Sequence, residues 1–534
     1  MVWLPLITLG LIATHVESAS SPGDAGCLGL DGLVVDSVAG LNAIPIHRSD
    51  SNARSWPSDE VGEAVVQVPD YCRVRGTLRP AIGFEARLPL TGWNGKFYMA
   101  GCGGFCGAVL PDRVGYSNAV NVALARGYAV VTSDAGHWGA SGVDAYWAYQ
   151  NRRAEIDWAQ RTIPAVSNAA RKIVEQFYGS APSRSYFSGC SNGGRMGAIA
   201  MQRYPDLFDG VIIGAPALDW RNLSLYSVSV TQANTDARGR FILDYRKLPL
   251  LHDAVLAQCD SLDGLDDGLI TDPRACEFDA QVLECPEGDN DQNCLLSDEV
   301  QTVRYWHAGL KNTHGVDWPF RMPRGSENYW RRWYAPAPGQ PAAGYLFSDG
   351  LIRYIMFERD PGPGFDPVDV DLNEYPHQME TMRELVRADA PDLSKFKASG
   401  GKAIVYQGYA DPAAIPEMTI GYYDDVRETM GGQAATDEFL RLFMIPGAGH
   451  CFETPRNIPD HFDPIAALED WVENGVAPNS MEARQWNASG ATVRSRPLCP
   501  YPEVARYSGS GSIDEAASFQ CRKPDPGNVA GPGR

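Results

Sequence analysis

The chain has 534 residues, 44% of them hydrophobic and 21% charged, with a formal net charge of −20. That length and apolar content support a large buried core, arranged as two to four domains or as one α/β unit with an insertion. The negative balance excludes nucleic acid as a natural partner, since its phosphates would be repelled, and favours neutral ligands.

The N-terminus reads MVWLPLITLGLIATHVESAS. Its apolar run from Val2 to Ala13 is too short to span a bilayer. Small residues at Ser18, Ala19 and Ser20 offer cleavage sites, so residues 1–19 are predicted to be a secretory signal peptide. No other stretch reaches transmembrane length. Twelve cysteines without CxxC pairs argue for disulfides rather than zinc, and for a secreted or periplasmic location. Asn222 and Asn487 open glycosylation sequons.

KFYMAGCGGFCG (96–107) is an apolar strand running into a glycine-rich loop, and YAVVTSDAGH (128–137) is a second β-rich run. Residues 155–179 have helical spacing. SRSYFSGC followed by SNGGRMGAIAMQRYP reads as strand, sharp turn and helix, and DGVIIGAPAL (209–218) as a strand. Strands alternating with helices predict a mostly parallel sheet. After Leu218 the composition shifts to Asp, Pro, Trp and Tyr, and strand signals return at KAIVYQGYAD (402–411) and FLRLFMIPGAGH. The predicted organisation is an α/β core over 20–218, an inserted lid over 219–395 and a second part of the core over 396–534. The tail after Pro497 reads as irregular, tied back by Cys499 and Cys521.

Gly189-Cys190-Ser191-Asn192-Gly193 fits G-x-S-x-G, the nucleophile elbow, in which a serine sits on a strained strand-to-helix turn. The pattern is short, and its context strengthens it: a strand precedes it and a helix follows. Such a serine needs a base, and the base an orienting carboxylate, in the chain order Ser, Asp, His for α/β-hydrolases. Asp411 and His450 each follow a strand, at the sheet edge where active sites gather. Asp134, which also ends a strand, is the rival acid. If Ser191 and His450 lie within hydrogen-bond reach, Cys190 and Cys451 must be near neighbours. In an oxidising compartment they would form a disulfide that clamps the pair.

Cys-Ser, Asp and His-Cys in this order resemble the tannase and feruloyl esterase family, which includes the mono(hydroxyethyl) terephthalate hydrolases. The resemblance runs from about Cys27 to Cys521 and implies an α/β-hydrolase fold with a large inserted lid domain. It also implies a secreted serine esterase acting on esters of hydroxycinnamic, gallic or terephthalic-type acids, whose alcohol part can belong to plant polysaccharide or polyphenol. No organic cofactor, nucleic-acid partner or membrane partner is expected. GCGGFCG (101–107) stands where such hydrolases place an oxyanion-hole loop, so the expected donors are the backbone amides of Asn192 and Gly103, with Gly104 the alternative. Proximity and the family together imply the pairs Cys27–Cys72, Cys102–Cys106, Cys259–Cys276, Cys285–Cys294 and Cys499–Cys521, beside Cys190–Cys451.

CDSLDGLDDGLITDPRACEFD (259–279) spaces hard oxygen ligands in a way that suits calcium, though not in an EF-hand pattern. On chemistry alone a solvated acidic loop is an equal alternative. By the resemblance the loop holds a structural Ca²⁺, bound by the side chains of Asp260, Asp263 and Asp267 and the carbonyls of Leu265 and Leu269. The lid is expected to select substrate. Its aromatics over 317–335 and 345–358 suit an aromatic acyl group and its arginines a carboxylate, although most of these aromatics are expected to form the lid's own core. One departure from the family stands out: Gln407-Gly408 occupies a place where many relatives have His-Gly, a histidine that would line the pocket. A non-catalytic binding module and a peptidase on the same fold are the alternative functions.

Overall fold

The computed structural model describes residues 22–35, 37–47, 67–112, 119–289, 292–309, 320–451, 457–487 and 489–524; the signal peptide expected over 1–19 lies outside them. Nine strands form one sheet: β1 Val38–Ile46, β2 Tyr71–Leu78, β3 Ile82–Pro89, β4 Lys96–Ala100, β5 Ala129–Ser133, β6 Arg184–Cys190, β7 Gly210–Gly214, β8 Lys402–Gly408 and β9 Leu440–Ile445. Their order is β1-β2-β3-β5-β4-β6-β7-β8-β9. From β5 to β9 neighbouring strands are parallel, whereas β1, β2, β3 and β5 pair antiparallel. The antiparallel edge departs from the mostly parallel sheet expected over the whole chain. There a tight turn joins β2 to β3, with no helix between the strands to force a parallel crossover.

The parallel strands are buried on both faces. Side-chain alternation sends Phe97, Met99, Phe187, Val211 and Ile213 into one apolar layer and Tyr98, Ala100, Tyr186 and Ile212 into the other. The helix Thr162–Tyr178 covers the first layer with Ile163, Val166, Ala170, Ile173 and Phe177, and stops at Gly179 in the left-handed conformation. The helix Pro464–Asn474 covers the second with Ile465, Leu468 and Trp471. The fold is that of an α/β-hydrolase.

Between β7 and β8 the described residues contribute no strand to this sheet. It carries the helices Trp220–Ala233, Leu248–Cys259, Ser297–Ala308 and Ala343–Tyr354, the first and last of which pack together. The tail after Pro497 is more regular than expected, since Val504–Tyr507 pairs with Phe519–Arg522; before it, Met481–Trp486 pairs with Thr492–Leu498. No helix among the described residues is long and apolar enough to cross a membrane.

Candidate active site

Ser191 sits between the end of β6 and the helix Asn192–Arg203 with φ 62° and ψ −123°. A non-glycine residue there stores about 1–3 kcal/mol of backbone strain and persists only where its surroundings enforce it. Here the Ser191 amide donates to Gly214 O at 3.0 Å, and its carbonyl accepts from the Arg195 and Ala217 amides at 3.0 and 3.2 Å. Two glycines make room for the turn. A Cβ on Gly189 would lie 2.5 Å from the Gly193 carbonyl carbon, and one on Gly194 would lie 2.3 Å from Gly214 O.

His450 follows β9, and its Nδ1 lies 2.8 Å from Oδ2 of Asp411, which follows β8 and is fully buried. The other carboxylate oxygen of Asp411 accepts the amides of Ala413 and Ala414 at 2.8 and 2.9 Å. Trp333 of the insertion sets its ring edge-on to His450, 5.3 Å between centroids and 88° between planes. Ser191 and His450 open on one cavity whose walls include Trp220, Trp333, Tyr334 and Phe347, with the hydroxyls of Ser224, Ser227 and Ser348. Cys190 and Cys451 form a disulfide across a separation of 261 residues, with Cα atoms 6.0 Å apart. The pairs Cys27–Cys72, Cys102–Cys106, Cys259–Cys276, Cys285–Cys294 and Cys499–Cys521 are bridged as well.

The glycine-rich loop after β4 meets the elbow through the Asn192 side chain. Its Nδ2 donates to Cys102 O at 3.2 Å, while its Oδ1 accepts from Arg195 Nε at 2.8 Å. Because the peptide is planar and trans, a fixed Cys102 carbonyl also fixes the direction of the Gly103 amide. Arg195 is fully buried, and three backbone carbonyls, Trp158, Ala159 and Val386, hold the rest of its guanidinium. Neither the Asn192 side chain nor Arg195 was singled out from sequence; an arginine four residues after a G-x-S-x-G serine was the available signal. Gly104 takes φ 59°, and a Cβ there would meet Gly142 O at 2.3 Å, so it serves the turn itself.

Three features singled out from the sequence have definite places. Asp134, the rival acid, spends its carboxylate on the amides of Gly83 and Gly136 at 2.9 and 2.8 Å, at the β3–β5 edge, and burial raises its pKa to about 6. Gln407 does not line the cavity; it is fully buried behind Asp411, to whose Oδ2 its Nε2 donates at 3.1 Å. And no arginine is among the described residues that line the cavity. Arg331 and Arg332 are exposed and lie over the rings of Tyr245 and Trp333, while Arg353 pairs with Asp349 at 2.7 Å. Of the lid aromatics, Trp330 packs on Trp306 in the lid's own core, whereas Trp333, Tyr334 and Phe347 reach the cavity.

The acidic loop lies elsewhere. Asp263, Leu265, Asp267, Leu269 and Thr271 line a second cavity, closed on its far side by the C-terminal segment through Arg496 and Phe519. Asp260 accepts the amides of Gly268 and Leu269, Asp263 that of Leu265, and Asp267 is ion-paired to Arg496. Among the described residues no three acidic, histidine or cysteine side chains already converge as a ligand set. The donors are nonetheless hard oxygens, and Asp263 is pushed up by burial and by the charges of Asp267 and Asp260, a strain that a cation would relieve.

Compared with known proteins, residues 63–522 match the family model described as tannase and feruloyl esterase. The chain belongs to that family. Over 97% of its length it is 31% identical to an uncharacterised esterase of Xanthomonas campestris pv. campestris, covering 93% of that protein. It is also 31% identical to the mono(2-hydroxyethyl) terephthalate hydrolase of Piscinibacter sakaiensis, over 86% of this chain and 85% of that one. The crystal structure of feruloyl esterase B from Aspergillus oryzae superposes with a TM-score of 0.80 at 27% identity, covering 93% of this chain and all of the other. The protein is a carboxylic ester hydrolase.

Proposed function

We propose that this esterase hydrolyses esters of aromatic acids through an acyl-enzyme, with Ser191 as nucleophile, His450 as base and Asp411 as the group that orients it. The observation that carries the reading is the strained Ser191, which opens with His450 on one aromatic cavity. Ser191 Oγ attacks the ester carbonyl as His450 takes its proton, and the amides of Asn192 and Gly103 receive the oxyanion. His450 then protonates the leaving alcohol, and a water repeats the sequence on the acyl-enzyme. Asp411, held by two amides, orients the imidazole and stabilises the imidazolium as it forms. Aromatic walls without a cation favour uncharged acyl groups, of hydroxycinnamic or gallic type, over a terephthalate monoester. Ser191→Ala should lose about a thousandfold or more of ester turnover and all labelling by a fluorophosphonate. A variant keeping a tenth of the activity would remove Ser191 from its role. A panel of methyl ferulate, methyl gallate, mono(2-hydroxyethyl) terephthalate and peptides then reads the substrate.

The loop closed by Cys259 and Cys276 would hold Ca²⁺ through Asp260, Asp263 and Asp267 and the carbonyls of Leu265 and Leu269, in a structural role. Six disulfides support export to a secreted or periplasmic location.

A further inference from the structure

Asp411 Oδ2 has two partners. One is His450 Nδ1; the other is the carboxamide of Gln407, 3.1 Å away through Nε2. The amide has only one workable orientation. Its Oε1 accepts from Thr419 Oγ1 at 2.9 Å, and its Nε2 faces Ala414 O at 3.0 Å and Gly408 O at 3.2 Å besides the carboxylate. Turned over, its oxygen would confront three acceptors. Gln407 is fully buried and Thr419 nearly so, hence water cannot replace either bond. A chain of contacts thus runs from Thr419 through Gln407 and Asp411 to His450, and Gln407 is absent from the wall of the substrate cavity.

We propose that Gln407 is a positioning residue for the proton-transferring pair: its amide, itself fixed by Thr419, sets the direction and the basicity of the Asp411 oxygen that His450 uses. A neutral donor on that oxygen draws off part of its charge at every pH, since a carboxamide does not titrate. Removing the donor leaves a more basic carboxylate that stabilises the imidazolium in the resting enzyme. It also frees the carboxylate to rotate. The base then becomes available only at higher pH and is less well aimed. Tyr226 and Tyr334 of the insertion interact electrostatically with Asp411, and burial keeps both protonated; Glu417, which interacts with Tyr226, is raised by burial to about 7.

This rests on the proposed triad, so Ser191→Ala is assayed alongside. The test is the pH profile of kcat/KM for Gln407→Met, which keeps length and volume but donates nothing. The acid limb should move up by about half to one pH unit, with kcat down roughly tenfold and KM within about twofold. Thr419→Val should move the limb in the same direction by less, and it decides the matter if the methionine variant does not fold. Repeating the measurement in a Glu417→Gln background should leave the displacement in place. Folded variants whose acid limb stays where it was, whatever their kcat, overturn the proposal. So does a displacement that vanishes with Glu417→Gln. A Ser191→Ala protein that still turns over would instead remove the triad on which the proposal rests.

Discussion

Cys190–Cys451 and Cys259–Cys276 look alike as bonds and differ in what they join. The first ties the loop after β6 to the loop after β9, elements 261 residues apart, and each cysteine adjoins a residue of the proposed proton-transfer pair. The second closes 17 residues of one acidic loop in the insertion. In the loop-entropy picture they stabilise by about 5.5 and about 3 kcal/mol, less than a twofold difference, because the term grows only with the logarithm of loop length. Their expected effects on catalysis differ far more. What matters for chemistry is which two atoms a bridge keeps at a fixed distance, not how much chain it encloses.

The largest effect should come from breaking the long bridge. Cys190→Ala with Cys451→Ala, assayed well below the variant's melting temperature, should lower kcat by as much as a hundredfold and KM far less, since a shift of about 1 Å at the pair suffices. A wild-type kcat in the folded double variant would refute the clamp. Breaking the short bridge with Cys259→Ala and Cys276→Ala should leave kcat unchanged under the same conditions and lower stability by up to about 3 kcal/mol. Chelation sharpens the contrast. Metal-free protein should melt lower, by the equivalent of about 2–3 kcal/mol at saturating ion, with calcium but not magnesium restoring it. Identical melting curves with and without chelator would count against the ion.

The smallest effect separates the two regions by pH. On the core side, burial lowers the pKa of His137 to about 4, against about 6.5 in an unfolded chain. Between those values only the unfolded state takes up the proton, so stability falls as pH falls from about 6.5 to 4, by on the order of 1 kcal/mol per pH unit at most. In the insertion, burial alone would raise Glu327, but the hydrogen bond to His252 at 3.0 Å and the nearby His307 ring at 3.7 Å outweigh it and hold the pKa at about 2. Its contribution is complete above about 4.5 and is lost as pH falls from there towards 2. His137→Phe, which keeps the stack on Trp147, should flatten the upper window, and Glu327→Gln the lower one. Unchanged slopes in a melting series would refute these assignments.

The parts of the site legible in the sequence are those that local rules specify. The elbow announces itself because a strained serine needs glycines at fixed offsets, and Asp411 and His450 because each follows an apolar run short enough to be a strand. The antiparallel edge was not read: only its β2–β3 turn is local, whereas β1 meets β2 across the long stretch between them and β3 pairs with β5 rather than with the β4 that follows it. Gln407 was noticed only as a departure from the family's His-Gly, and its partners were not read. Position next to a strand end is local, but whether its side chain faces substrate or Asp411 depends on Thr419, which comes from the following helix. The arginines misled for the same reason, since the exposed guanidinium groups of Arg331 and Arg332 lie over the rings of Tyr245 and Trp333.

Five of the six bridges join cysteines 4 to 45 residues apart, so each has both partners on hand soon after its segment is made. The sixth cannot close until residue 451 has been synthesised and brought back to residue 190. The proposed nucleophile is therefore made long before the proposed base, and the loops that carry them are locked together only in a chain that is nearly complete and has met an oxidant. A prematurely ended chain, or a full one still among reducing thiols, would carry the serine without the clamp. Full ester turnover in this molecule would thus double as a mark of a finished, oxidised chain.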